Sequence, residues 1–277
     1  MEAMRTLQAQ IIEEMGVKPQ IDPADEVRRR VDFLRQYLAT TRTRGFVLGI
    51  SGGVDSSLAG RLCQLAIEGL SDRGDDVDFV AVRLPYRVQA DEEDAQAALR
   101  FIRPKTNWSF DVEPATTGVE IEYQKTSGVD ISDFSKGNVK ARIRMVAQYA
   151  LAGDRNLLVV GTDHAAESTT GFFTKFGDGG ADILPLYGLN KRQIREIARH
   201  LGAEERVWSK APTADLLDAT PGRLDEDELG ISYDVIDDYL EGRDVTDEQA
   251  EAIETRFLRT RHKRTTPVTI LDRWWAE

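Results

Sequence analysis

The clearest pattern in the chain is an apolar run that changes abruptly into a polar, glycine-rich turn. Residues 45–50 are apolar or glycine, and the sequence Ser51-Gly52-Gly53-Val54-Asp55-Ser56-Ser57 follows them. Apolar side chains then recur at helical spacing, at Leu58, Leu62, Leu65 and Ala66. The pattern predicts a buried strand, a tight loop and a helix, in that order.

Three later segments also have strand-like patterns, and helical patterns separate them. The predicted strands are Val77–Leu84, Trp108–Val112 and Leu157–Gly161, of which the last is apolar throughout, as expected of a central parallel strand. Strands that alternate with helices predict an α/β fold with a doubly wound parallel sheet. Ligands of such sheets bind beyond the carboxyl ends of the strands. This rule selects three polar segments, Ser51–Ser57, Arg83–Gln89 and Thr162–Glu167.

Eight further stretches have helical periodicity. They are 7–15, 23–40, 90–102, 115–125, 134–151, 191–201, 233–241 and 247–258. The first two precede the first strand, and we expect them to pack on the sheet or on a second subunit. Phe172–Asp182 contains three glycines and is predicted to be a loop that approaches a ligand. No repeat or linker divides the chain, so we expect residues 1–277 to form a single domain.

Bulk composition narrows the possible classes of function. The chain has 277 residues and a 41% hydrophobic fraction, which suffices for a sizeable core. Its formal net charge of -12 argues against general binding to nucleic acid or to an anionic membrane. The single cysteine, Cys63, excludes an intrachain disulfide and a cysteine-rich zinc site, and we expect it to be buried. With no signal peptide or membrane-length apolar stretch, the expected location is cytoplasmic.

The Ser51–Ser57 segment has the chemistry of a pyrophosphate-binding loop. Backbone N–H groups at a helix N-terminus attract anions, and Gly52 and Gly53 let a large anion approach closely. A carboxylate beside a phosphate needs a divalent cation between them, so Asp55 is predicted to be a Mg²⁺ ligand, with Glu167 as its partner. The lysine of the GxxxxGK[ST] motif is absent. The plain alternative is an ordinary strand–turn–helix connection rich in small residues.

Positive charge for the phosphates must come from scattered side chains. Lys175 and Lys191 are candidates because they lie in or beside the glycine-rich loop, and Arg142 and the His262-Lys263 pair are further ones. The alternative for each is a solvated surface charge. His164 follows the fourth predicted strand. Because histidine is a poor Mg²⁺ ligand, we expect His164 to make a structural hydrogen bond instead.

The motif SGGxDS at residues 51–56 resembles the fingerprint of the ATP pyrophosphatases, which cleave ATP between its α and β phosphates and adenylate a substrate. More specific segments extend the likeness, in the same order, to the ammonia-dependent NAD synthetases. They are Leu48–Ser57, Val80–Gln89, Lys136–Arg142, Gly161–Glu167, Gly171–Asp182, Ala211–Leu216, Asp237–Gly242 and His262-Lys263. GTDHAAE at 161–167 and GFFTKFGDGGAD at 171–182 separate this family from other proteins with SGGxDS.

The resemblance implies a reaction in two steps. The nicotinate carboxylate of deamido-NAD attacks the α-phosphorus of ATP, pyrophosphate leaves, and an NAD-adenylate forms. Ammonia then attacks the acyl carbon and releases AMP and NAD. ATP is thus a co-substrate, and Mg²⁺ is the implied cofactor.

The resemblance also assigns roles to individual residues. The ATP positions are Gly49, Ile50, Ser51, Gly52, Gly53, Val54, Asp55, Ser56, Thr162, Lys191 and Thr213, and we add Arg83 at its strand end. The Mg²⁺ positions are Asp55 and Glu167. The deamido-NAD positions are Arg142, Lys175, Asp182, His262 and Lys263. The candidate catalytic residues are Ser51, Asp55 and Asp178, and Asp178 matches a carboxylate near the ammonia site, where a raised pKa would be needed to deprotonate ammonium.

Family likeness further implies a homodimer with the substrate at the interface, to which the N-terminal helices and the basic C-terminal run are expected to contribute. Val54 stands where the family often has Gln, but its side chain is not expected to face phosphate. We expect no glutaminase domain, so ammonia is the predicted nitrogen donor. Two alternatives stay open: a GMP synthetase-like or tRNA-modifying adenylating enzyme of the same fold, and a non-catalytic nucleotide-sensing module.

Overall fold

Four parallel strands form the centre of the fold in the computed structural model, which describes residues 5–87, 92–213, 216–220 and 222–276. The strands are β1 (Gly45–Gly49), β2 (Asp78–Arg83), β3 (Thr106–Ser109) and β4 (Leu158–Val159). Their order across the sheet is β3-β2-β1-β4. In register, Phe46 of β1 lies between Phe79 of β2 and Leu158 of β4. All the carboxyl ends therefore meet at one edge of the sheet.

Helices connect and flank the strands. Those before β4 are α1 (Thr6–Met15), α2 (Pro23–Thr41), α3 (Val54–Ser71), α4 (Glu92–Ile102), α5 (Glu113–Ser127) and α6 (Asp133–Arg155). Those after it are α7 (Ala165–Thr170), α8 (Lys191–His200), α9 (Glu205–Ser209), α10 (Asp225–Leu229), α11 (Tyr233–Leu240), α12 (Asp247–Arg259) and α13 (Arg261–Arg264). Among the described residues, none of these helices is both long and apolar enough to cross a membrane.

Both faces of the sheet are buried, which explains why its strands are apolar at successive positions. Phe46 and Leu48 of β1 point into the core beneath α2, α3 and α8. Val47, between them, points into the opposite core with Val159 and Ala147 of α6. Burying one such large apolar side chain stabilises the fold by roughly 1.5–3 kcal/mol. The predicted doubly wound α/β sheet is therefore confirmed, and Cys63 is buried as expected.

A second, smaller core lies beyond β4 and involves α1, α7, α11 and α12. Met15, Ala166, Tyr233 and Phe257 are buried together there. The two N-terminal helices thus pack within the chain itself: α1 lies in this second core, and α2 lies against α3 and α8. This packing fixes α7, the short helix that carries Glu167, relative to the sheet.

Three predicted strand features need correction. The third strand is Thr106–Ser109 rather than Trp108–Val112, because its register with β2 places Ser109 opposite Arg83, where β2 ends. One further hydrogen bond joins the two segments beyond the strand ends, from the Phe110 N–H to the Arg83 carbonyl at 2.8 Å.

The fourth strand has two residues rather than five and lies at the end of the four-stranded order, not at its centre. An isolated parallel bridge, Val160 to Ile183, borders it. The predicted helix start at Ala90 and the motif positions Val88, Gln89, Ala214 and Asp215 lie outside the described residues.

Candidate active site

The Ser51–Ser57 segment leads from β1 into α3 as the sequence predicted, with Gly53 at the N-cap. Gly52 has φ of +86°, and a Cβ atom there would lie 2.9 Å from the Ala95 amide nitrogen of α4, so glycine is needed on both counts. The Ser51 and Ser56 hydroxyl oxygens are 3.1 Å apart, and the Ser57 hydroxyl donates to the Gly53 carbonyl at 2.7 Å. The loop is therefore held by its own short side chains, with the helix N-terminus facing the end of the sheet.

A cavity of about 270 Å³ opens above this loop. The predicted ATP positions that line it are Gly49, Ile50, Ser51, Gly53, Val54, Asp55, Ser56, Thr162, Lys191 and Thr213. Glu167 and Asp178 line it as well. Gly52 and Arg83 do not line it, since Gly52 faces α4 and Arg83 pairs with Glu92 at the start of α4. The polar groups that follow separate strands thus converge on one space, as the strand-end rule predicts.

Four ionisable side chains from three chain segments meet at this cavity: Asp55, Glu167 and Lys191 line its wall, and His164 is buried behind them. The Lys191 Nζ at the start of α8 is 2.8 Å from an Asp55 carboxylate oxygen in the first turn of α3. The His164 Nε2 at the N-cap of α7 lies 3.3 Å from the same Nζ. It is 3.4 Å from a Glu167 oxygen and 3.6 Å from an Asp55 oxygen. Lys191 is 1% exposed and His164 is fully buried, so these charges interact with little screening by water.

The pKa shifts in this cluster follow from its geometry. Burial by itself would raise the pKa of Asp55, but the charges of Lys191 and His164 outweigh burial and lower it. Burial opposes the charged forms of Lys191 and His164, yet the neighbouring carboxylates raise the pKa of both. Asp55 is therefore ionised and Lys191 is charged near neutral pH, and the two form an ion pair in the wall of the cavity.

The same cluster fits a divalent cation. Asp55, His164 and Glu167 each offer a ligand atom, and these atoms lie within 4.8 Å of one another. One Asp55 oxygen is buried without a hydrogen-bond partner, which leaves it available to a cation. His164, for which the sequence analysis expected a structural hydrogen bond, lies within hydrogen-bond distance of Lys191 and at the centre of the cluster. Its position three residues before Glu167, across the first turn of α7, is the signal that could have revealed this.

Asp178 lies where the main cavity meets a smaller one of about 140 Å³. The two cavities share Phe172, Asp178 and Leu216 in their walls. An Asp178 oxygen accepts a hydrogen bond from the Thr174 amide at 2.9 Å. Although the residue as a whole is exposed, loss of water around its carboxyl group raises the pKa of Asp178 to about 6, so the group changes charge close to neutral pH.

The predicted deamido-NAD positions divide into two groups. Lys263 lines the smaller cavity, and its Nζ donates to the Gly171 and Phe173 carbonyls at 2.8 and 2.7 Å. Arg142, Lys175 and His262 form a separate chain of contacts, in which Lys175 donates to the His262 carbonyl at 2.6 Å. Asp182 accepts from the Val159 amide of β4 at 2.8 Å and from the Tyr149 hydroxyl at 3.1 Å. None of Arg142, Lys175, His262 and Asp182 lines either cavity.

Sequence reasoning missed several residues of the cavity wall. Gln148 accepts a hydrogen bond from the Gly49 amide at 2.7 Å and so braces the end of β1. Three charged residues that were not assigned to the site also line the cavity: Arg144, Lys210 and Asp225. Gln148 and Arg144 lie one turn apart on α6. This polar pair beside apolar neighbours is the sequence feature that could have indicated that both residues belong to the site. Asp225 becomes a neighbour of Lys191 only through folding.

Comparison with known proteins places this site in a family. The family model for NAD synthase matches residues 26–267. A protein named NH(3)-dependent NAD(+) synthetase from Leifsonia xyli is 60% identical over 99% of this chain and 98% of its own length. Its counterpart from Bacillus subtilis is 56% identical over 98% and 99%.

Solved structures agree with the sequence comparison. The NAD+ synthetase from Burkholderia pseudomallei is similar with a TM-score of 0.81 and 49% identity, covering 94% of this chain and 96% of that one. An NMN synthetase from Francisella tularensis has a TM-score of 0.79 and 33% identity, covering 91% of this chain and 100% of that one. With the loop, the charge cluster and the cavities in the same chain, we conclude that it belongs to the NAD synthase family.

Proposed function

We propose that the chain is a ligase that amidates deamido-NAD with ammonia, using ATP and releasing NAD, AMP and pyrophosphate. The observation that carries the proposal is the single cavity in which the Ser51–Ser57 loop, Lys191 and the Asp55 and Glu167 carboxylates converge. Relatives 56–60% identical over nearly the whole chain bear the name of this activity. The alternative of a tRNA-modifying enzyme lacks support, because the chain is acidic and its one cysteine is buried.

In the first step, the loop and Lys191 bind the phosphates of ATP. Backbone N–H groups at the start of α3 and the hydroxyls of Ser51 and Ser56 would hold the β and γ phosphates. The nicotinate carboxylate forms a bond to the α-phosphorus while the bond from that phosphorus to the bridging oxygen of pyrophosphate breaks. The Lys191 ammonium, directed into the site by Asp55, would offset the negative charge that grows on the leaving group.

In the second step, ammonia forms a bond to the acyl carbon and AMP leaves with the electron pair of the acyl–phosphate bond. Asp178 lies at the junction of the two cavities, so its ionised carboxylate would attract ammonium and take up the proton that is released. Phe172 and Leu216 flank the same junction and would limit the entry of water.

Mg²⁺ is the cofactor that these carboxylates fit. Asp55 and Glu167 would hold it with oxygen ligands, and a divalent cation there supplies charge neutralisation for the pyrophosphate. The unpartnered Asp55 oxygen supports this assignment. His164, buried within 3.6 Å of both carboxylates, would orient them.

A homodimer would complete the substrate site. Exposed apolar side chains lie on two helices and a loop: Phe33 and Tyr37 of α2, Val146 and Tyr149 of α6, and Phe176. We propose that they form one surface around the β4 end of the sheet, which we call the β4 face. Both helices border residues 182–187 beside β4: Tyr149 bonds to Asp182, and Arg30 of α2 bonds to the Tyr187 carbonyl at 2.9 Å. Arg142 and His262 are exposed, and the half-buried Lys175 between them lies over the Phe176 ring; all three are outside both cavities. A second copy packed on the β4 face would enclose them around the dinucleotide.

The direct test incubates the protein with ATP, Mg²⁺, ammonium and either deamido-NAD or the mononucleotide that corresponds to NMN, and detects the amide by mass. We expect NAD from the first substrate at a far higher rate than NMN from the second. The second arm is included because a relative named NMN synthetase is 33% identical. Preference for the mononucleotide, or no amide from either substrate, would refute the proposal.

Asp55→Asn provides the matched variant for this assay. The amide keeps the size of the side chain but removes the charge that pairs with Lys191 and would bind the cation. We expect the rate of NAD formation to fall by about 10³-fold or more, on the scale of other losses of transition-state electrostatics. Asp154→Asn, an exposed acid on α6, is the control and should keep the wild-type rate.

A further inference from the structure

Residues from one stretch of the chain line both cavities, and one face of α6 contacts them. We call residues 210–213 and 216–220 the roof segment. Its residues 210–213 and Leu216 line the main cavity, while Leu216, Leu217 and Thr220 line the smaller one. Any shift of Leu216 would therefore alter the wall between the site of adenylation and the cavity that leads to Asp178.

The strongest link between the roof segment and α6 is Lys140. Its side chain is 3% exposed, and its Nζ donates to the Leu216 carbonyl at 2.9 Å and forms an ion pair with Asp218. The same Nζ lies 4.3 Å from the centre of the Tyr86 ring. One turn earlier, Lys136 is 3.1 Å from the other Asp218 oxygen. Two ammonium groups thus hold one carboxylate of the roof segment.

Two further residues on the same helical face complete the contact. The Asp133 carboxylate accepts hydrogen bonds from the Asp218 and Ala219 amides at 2.8 and 3.0 Å. A Cβ atom at Gly137 would lie 3.1 Å from the Leu216 Cβ and 3.2 Å from its carbonyl oxygen, so the glycine permits the close approach. Residues 133, 136, 137 and 140 have the spacing of a single helical face. We call this face the docking face.

The helix does not need these contacts for its own formation. Ser132 caps α6 with a hydrogen bond from the Ser135 amide, and the apolar side chains of α6 that pack on the sheet lie further along the helix. An ammonium as deeply buried as that of Lys140 is costly unless it is paired. Its partners, apart from the Tyr86 ring, belong to the roof segment. These contacts therefore fix the position of the roof segment and contribute little to the stability of the helix.

We propose that Lys140, Gly137 and Asp218 are positioning residues that seat the roof segment over the adenylate, so that ammonia and not water reaches its acyl carbon. This inference rests on the proposed amidation. With the roof displaced, water would attack the acyl carbon and AMP would leave, which regenerates deamido-NAD. ATP would then be converted to AMP and pyrophosphate without amide formation.

The experiment measures AMP and NAD formed from ATP, deamido-NAD and limiting ammonium by the full-length protein. The wild type should form one AMP per NAD. Lys140→Met and Asp218→Asn should raise this ratio at least about two-fold and raise the KM for ammonium by about 10-fold, since both report access to the acyl carbon. Lys125→Met, on an exposed pair with Glu122 of α5, is the control and should keep the ratio at one.

Gly137→Ala keeps the experiment decisive if a charge variant fails to fold. Alanine favours the helix, so a loss of folding would not explain its effect, while its Cβ displaces Leu216. We expect it to raise the AMP-to-NAD ratio as well. The double variant Lys140→Met with Asp218→Asn should not exceed the larger single effect, because the two residues form one contact.

Two failures are distinguishable. If the wild type forms no NAD, the proposed function fails. If the wild type forms NAD but folded Lys140→Met, Asp218→Asn and Gly137→Ala all keep one AMP per NAD, the positioning role is overturned and the amidation stands. A ratio that rises equally in Lys125→Met would also overturn it, since that pair touches neither the roof segment nor α6's docking face.

Discussion

At the scale of single residues, the charge state of each group in the site depends on its neighbours. Asp55 and Asp178 both line the main cavity, but Asp55 is half-buried and faces Lys191, whereas Asp178 is more exposed and faces mainly backbone amides and the more distant Glu167. Their pKa values therefore shift in opposite directions. The two residues are suited to different tasks, one as a permanent anion and the other as a group that exchanges a proton.

The raised pKa of Asp178 leads us to expect that the rate of the second step depends on pH. Because its pKa is raised to about 6, the carboxyl is protonated below that pH and ionised above it, and only the ionised form attracts ammonium. We expect the rate of NAD formation to fall as the pH drops through about 6, at ammonium concentrations held saturating. Asp178→Asn should be slower by about 100-fold and should lack this acidic decline.

The control for this prediction is the first step in the same protein. Pyrophosphate release in the absence of ammonium should not show the decline near pH 6 that depends on Asp178. An acidic decline that persists unchanged in Asp178→Asn would contradict the assignment.

At the scale of elements, the junction of α8 and α11 determines where Lys191 lies. Asn190 caps α8, and its side chain and that of Gln193 bond reciprocally to the backbone of the first turn. Asp237 of α11 accepts hydrogen bonds from the Lys191 and Arg192 amides at 3.1 and 2.7 Å. The carboxylate also complements the positive end of the helix. Lys191 is therefore directed at Asp55 by a cap that comes from another helix.

Asp237→Ala should consequently weaken both the fold and the reaction. It leaves two buried N–H groups without partners, which we expect to lower the free energy of unfolding by about 2–4 kcal/mol. Asp238→Ala, the neighbouring acid that pairs with Arg192 and Arg243 at the surface, should lower it by less than about 1 kcal/mol. Urea denaturation measures both, and equal losses in the two variants would contradict the role of Asp237.

At the scale of the whole molecule, the proposed dimer interface depends on exposed apolar side chains. Val146 and Phe176 of the proposed β4 face are each more than half exposed, and Phe33 stacks with Tyr37 on α2. An exposed apolar patch of this kind is typical of a protein–protein interface. Arg142, Lys175 and His262, which we propose to bind deamido-NAD, lie outside the two cavities described above.

Val146→Glu should therefore disrupt the proposed dimer and the binding of deamido-NAD together. A carboxylate in the centre of an apolar interface must lose water without gaining a partner. We expect sedimentation velocity to show a shift towards monomer and the KM for deamido-NAD to rise about 10-fold or more. Phe110→Glu, an exposed aromatic position at the opposite edge of the sheet, should change neither quantity. A monomeric wild type would refute this interface.

The sequence by itself determined the α/β class, the order of strands and helices along the chain and the chemistry of the Ser51–Ser57 loop, because these depend on local periodicity and on residues adjacent in the chain. It also placed Asp55 and Glu167 together through the strand-end rule. Only the tertiary structure decided that Lys191, 136 positions from Asp55 in the chain, is the partner of that carboxylate, and that His164 lies between the two carboxylates. The same holds for the place of β4 at the end of the four-strand order and for the raised pKa of Asp178. These properties follow from burial and from contacts between distant segments, and no short-range pattern in a single sequence specifies which buried groups will face each other.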